Sequence, residues 1–138
     1  MATQMYAEFA IFSPNLQPEE VTALLGIKPD KSYRAGEPVS AKVSMLRKEG
    51  CWEIKTAPTK DADASLNDHL CLLLDRITPA KEAVRSLASD HSIQFGCVVY
   101  FDEQVPALYL ERDVLKAMSD LNATFDIDAY LLGPDHST

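Results

Sequence analysis

The sequence lacks most of what would announce a chemistry. Its 138 residues hold three cysteines, Cys51, Cys71 and Cys97, odd in number and far apart. No two sit at CxxC spacing, so neither a zinc site nor a redox motif is signalled. Cys71 falls in a leucine-rich helical stretch and Cys97 in an apolar strand, where a thiol serves as a small buried hydrophobe. This usage fits a reducing, cytoplasmic setting. GxGxxG and GxxxxGK[ST] loops are absent, as are HExxH and GxSxG, and no cofactor or metal is implied by any motif. The longest apolar runs, Leu70–Leu74 and Cys97–Phe101, have five residues each. A membrane-spanning helix needs about 20. Residues 1–12 lack a basic start and carry Glu8, so no secretory leader is expected.

Basic charge is also short: 13 Lys and Arg stand against 21 Asp and Glu, a net charge of −8. That argues against binding to nucleic acid, which needs a basic footprint, and against docking on an anionic membrane. The acid is unevenly placed. Residues 28–60 carry +4, whereas residues 101–138 carry −6. With 46% hydrophobic and 25% charged residues, the chain reads as one globular α+β domain over residues 1–138, with a frayed tail at 133–138.

Periodicity gives the elements. Tyr6–Phe12 reads as a strand that is apolar on both faces except at Glu8. Pro18 suits the first turn of a short helix in which Val21, Leu24 and Leu25 form the apolar stripe and Gly26 the cap. Residues 28–50 are rich in turn signals, with short strands around 32–34 and 39–45. Cys51–Thr56 alternates, placing Trp52 and Ile54 on one face. Ser65 with Asp68 predicts a capped helix carrying Leu66, Leu70, Leu73, Leu74 and Ile77. Thr78 is expected to cap a second helix with Val84, Leu87 and Ala88 inside. Residues 93–101 read as a strand buried on both faces and residues 107–110 as a short strand. A helix over 111–121 should bury Val114, Leu115, Met118 and Leu121, before a last strand at 124–132. The order predicts a ferredoxin-like split βαβ fold, or a similar antiparallel or mixed sheet, with helices packed on one face.

Four local patterns follow one another in order: Leu25-Gly26-Ile27-x-Pro29, Arg34-x-Gly36, Gly50-x-Trp52 and Asp126-Ile127-Asp128-x-Tyr130. Together they resemble the bacterial family catalogued as domain of unknown function 4279, over about Tyr6 to Leu132. Cys51 departs from the small polar residue typical before the tryptophan. The resemblance implies a fold and a bacterial setting but brings no activity with it. Small single-domain members of this kind look like binding or immunity-type proteins.

Two groups are candidate sites. Asp126 and Asp128 alternate with apolar residues, so both carboxylates point to one face of a strand beside Tyr130. They read as the solvated face of an edge strand, as the contact face for a basic partner, or as the start of a hard-cation site, which would need further oxygen ligands that the sequence does not indicate. Glu111 and Asp113, on the preceding helix, extend that acidic surface. The second group is Tyr33, Arg34 and Trp52, residue types that anchor interfaces and ligands. In it, Trp52 reads first as core, because Ile54 shares its face, while Arg34 reads either as half of an ion pair or as an anchor for a carboxylate or phosphate. A Cys–His nucleophile has nothing positive to support it.

The expectation is therefore a non-catalytic protein-binding module, an immunity-type inhibitor of a basic protein partner. The alternative is a small ligand- or metal-binding regulator, or an enzyme, with a pocket near residues 28–52. A homodimer paired through a sheet edge is a third possibility.

Overall fold

The computed structural model describes residues 3–60 and 64–132; the expected fraying at 133–138 lies outside them. Ten residues, Gln4–Ser13, form strand β1, whose side chains alternate between buried and half-buried from Met5 onward. Helix α1 spans Pro18–Leu25 and ends at Gly26, whose φ of 67° is the left-handed conformation that glycine adopts without strain. Strands β2 (Lys31–Tyr33), β3 (Pro38–Ser40), β4 (Val43–Leu46), β5 (Gly50–Lys55) and β6 (Thr59–Lys60) follow. Helix α2 is Leu66–Ile77 and carries the full capping box: Ser65 Oγ accepts from the Asp68 N–H, and the Asp68 carboxylate accepts from the Ser65 N–H. A 3-10 turn, Thr78–Ala80, leads into α3, Lys81–Leu87; β7 (Ser92–Phe101), α4 (Arg112–Asp120) and β8 (Ala123–Leu131) complete the chain.

The main sheet runs β2-β5-β1-β7-β8, with β6 also paired to β1, and β3 and β4 make a separate two-stranded ribbon. β1 is antiparallel to both β5 and β7, while β7 and β8 are parallel. This is the mixed-sheet form of the expected α+β architecture. The β7-α4-β8 crossover joins direct neighbours, so no strand is interleaved as a split βαβ unit would require.

Helices cover one face of the sheet. Met5, Ala7, Phe9 and Ile11 of β1, Trp52 and Ile54 of β5, and Ile93, Phe95, Cys97 and Val99 of β7 all point into the core beneath them. Leu66, Leu70, Leu73 and Ile77 supply the α2 side. At ~1.5–3 kcal/mol per fully buried aliphatic or aromatic side chain, this layer is the main source of stability.

Some expectations need correction. Leu24 and Leu115 are 56% and 49% exposed. Val21 and Leu25 on α1, and Val114 and Met118 on α4, take the contacts at i, i+4 spacing, which rotates the two leucines out of the seam. Thr78 closes α2 rather than opening a helix, its hydroxyl donating to the Leu74 carbonyl. Residues 107–110 form no strand. Leu108 and Leu110 pack on the core from an irregular segment whose end is tied by a bond from the Glu111 N–H to Asn67 Oδ1.

Candidate functional site

The face of the sheet away from the helices carries the polar side chains. Successive residues of a strand point to opposite faces. With Phe9 and Ile11 inside, Tyr6, Glu8, Ala10 and Phe12 therefore lie on this open face. The pairing register then sets the rows. Glu8 lies opposite Lys55 on one side and Gly96 on the other, and Gly96 lies opposite Asp126. One row on, Tyr6 faces Val98, which faces Asp128; in the next, Tyr100 faces Tyr130. The last two rings stack, with centroids 5.2 Å apart and planes at 21°.

The electrostatics of this face centre on Glu8. Burial pushes its carboxyl up to about 7, and the nearby charges of Glu53 and Asp128 push the same way, while Lys31 opposes them. Burial and the Glu8 charge likewise raise the Tyr6 phenol. Lys55 lies over the Tyr6 ring, 5.5 Å from its centroid. Towards β2 the sign changes: Arg47 sits 3.9 Å over the Tyr33 ring, and Lys31 lies beside it. The face is acidic on the β7–β8 side and basic on the β2 side.

Gly96 forms the floor between Glu8 and Asp126. A Cβ there would lie 3.4 Å from Glu8 Oε1 and 3.5 Å from the Asp126 carbonyl oxygen, ordinary contacts. Neither packing nor backbone conformation dictates the glycine, although its lack of a side chain leaves a shallow dent between two carboxylate-bearing strands.

The residues singled out in the sequence are distributed unevenly. Asp126, Asp128 and Tyr130 do share the open face and are exposed. Glu111 and Asp113 sit at the start of α4, in the helical layer on the opposite side of the sheet. The second group comes apart. Trp52 is fully buried on the helix face and donates from Nε1 to Thr22 Oγ1. Tyr33 lies on the other face, and Arg34 is exposed in an ion pair with Glu19.

Glu8, Glu53, Tyr6 and Tyr100 were missed as site residues. The signal was present in the lone charge at Glu8, two residues from Tyr6 in an otherwise apolar strand.

Nucleophilic chemistry finds little support. Burial pushes up the thiols of Cys51, Cys71 and Cys97, the last to about 11, which leaves few thiolates at neutral pH. His69 is fully buried, its two ring nitrogens bonded to Thr56 and Thr59. His91 Nδ1 meets the Ser13 hydroxyl at 2.5 Å, linking the end of β1 to the turn before β7. Among the described residues, no three His, Cys, Asp or Glu side chains converge as a metal-binding group. Among the described residues, no helix is long and apolar enough to cross a membrane.

No curated protein and no solved structure matches the chain. A family model does, over residues 3–132, nearly the whole sequence and all eight strands. The chain therefore belongs to the family described as domain of unknown function (DUF4279).

Proposed function

We propose that the protein is a bacterial, cytoplasmic, non-catalytic binding module, an immunity-type inhibitor whose open sheet face takes a basic protein partner. One observation carries this reading. Glu8, Glu53, Asp126 and Asp128 share the open face with Tyr6, Tyr100 and Tyr130, and the charges of Glu53 and Asp128 add to burial in raising the Glu8 carboxyl. A guanidinium or ammonium group placed among them would relieve that repulsion, and the tyrosine rings offer it flat surfaces. Acidic groups on such a face set the rate and salt dependence of association with a basic partner. Glu111 and Asp113 stand outside this face and are not part of the proposed contact.

A hexa-arginine peptide serves as a probe, with binding followed by amide NMR shifts. The expected result is binding that weakens steeply with salt, perturbs β7 and β8, and falls about tenfold or more in D126N/D128N. The E111Q/D113N variant removes as many charges elsewhere and should bind like the wild type. Equal binding by all three proteins, or shifts confined to the helical layer, would overturn the reading.

A further inference from the structure

The two edges of the main sheet are unlike. β2, at one edge, has three residues. β8, at the other, has nine, contains no proline, and pairs only with β7 among the described residues. A long edge strand presents a row of unpaired backbone donors and acceptors, which native proteins usually shorten, twist away or cover. Here the far half of the strand is bare on both faces. Asp126, Asp128 and Tyr130 project on the open face, and on the helix side Ile127 and Leu131 are 40% and 66% exposed. The first half is different: Phe125 packs against the core.

We propose that the outer edge of β8 takes an extended segment of the basic partner as an added strand, its basic side chains over Asp126 and Asp128 and its apolar side chains over Ile127 and Leu131. This rests on the proposed reading of the open face and adds the mode of engagement. Strand addition draws affinity from main-chain hydrogen bonds and selectivity from alternate side chains. The alternation of acid and exposed apolar residues along β8 is the complement of an alternating basic and apolar strand. A second copy of this chain fits poorly when centred on the exposed half of the strand. A two-fold axis through Ile127 would set Asp126 of each copy opposite Asp128 of the other, and like charges directly opposed across strands destabilise the pair. The two aspartates thus guard the edge against self-pairing and leave it open to a strand of opposite charge.

The test uses nine-residue peptides, matched to the length of β8, that alternate lysine with valine or threonine. Four are compared by calorimetry: the parent, a scrambled version of the same composition, and two versions N-methylated on alternate residues in opposite phase. Strand addition predicts that the parent binds about tenfold or more tighter than the scrambled peptide, a difference of a few hydrogen bonds. It also predicts that one N-methyl phase abolishes this gain while the other keeps it, because only one set of N–H groups faces β8. Equal binding of all four, lost in D126N/D128N, would overturn strand addition and leave the charged-face reading standing. Binding insensitive to D126N/D128N, or none at all, would overturn both. Dimerisation of the free protein through β8, seen by sedimentation and abolished by Ile127→Pro, would overturn the assignment of the edge to a foreign strand.

Discussion

The Nε1–H of Trp52 donates to Oγ1 of Thr22 at 3.0 Å, fastening β5 to the middle of α1. Trp52 is completely buried and meets Phe9 edge to face, with centroids 6.3 Å apart. As the only tryptophan, it reports on its own environment. Its fluorescence should be blue-shifted in the folded protein and move red on unfolding. Thr22→Val, which leaves the indole donor unpaired, should cost about 1–3 kcal/mol by denaturant titration. Trp52→Ala should cost about 3–5 kcal/mol. A Trp52 variant of undiminished stability would contradict its place in the core.

Glu8 binds its proton more tightly folded than unfolded, with a carboxyl near 7 against an ordinary 4.5. Between these values the native state holds more protons, so this group costs stability as pH rises through the window. Glu8→Gln removes the penalty. The variant should gain on the wild type from pH 5 to pH 8, as measured by urea midpoints at each pH. A constant difference across that range would show that Glu8 titrates normally.

His69 acts with the opposite sign. Its burial favours the neutral ring, and the Asp68 charge only partly offsets this. The unfolded chain therefore takes up a proton first as pH falls below about 6.5, and stability is lost from there downward. The slope is best seen in E8Q, where the opposing titration is gone. NMR of the ring should place the His69 midpoint below that of a free histidine.

Two glycines should respond differently to the same substitution. A Cβ on Gly50 would lie 2.6 Å from the backbone carbonyl oxygen of Leu16, which cannot withdraw without moving the β1–α1 connection. Gly50→Ala should cost about 1–3 kcal/mol or more, as overpacking does. Gly96→Ala should be close to neutral or mildly stabilising, since its nearest contact is 3.4 Å. Thermal melts of the pair decide this.

Where local patterning dictates structure, the sequence was legible. Ser65 and Asp68 named their capping box, Gly26 its left-handed cap, and the alternation around Trp52 its buried face. Long-range choices were not. Nothing local tells β1 to lie between β5 and β7, because that order depends on contacts some 40 to 90 residues apart along the chain. Leu108 and Leu110 imitate a strand because an irregular segment seated on a core also needs apolar residues at alternate positions. Asp126, Asp128 and Tyr130 were found together because one strand holds them. The remaining members of the face, Tyr6, Glu8, Glu53 and Tyr100, come from three other strands, and only pairing register unites them.

The central place of β1 has a consequence for how the protein is made. Its partner on one side begins at Gly50, but the partner on the other, β7, is not complete until Phe101. At ~5–20 residues per second, β1 waits on the order of 5–20 seconds for its second neighbour. During that interval Phe9 and Ile11 have no sheet to close over them on that side. A chaperone-limited host should therefore lose this protein to aggregation during synthesis, well below the temperature at which the finished fold melts.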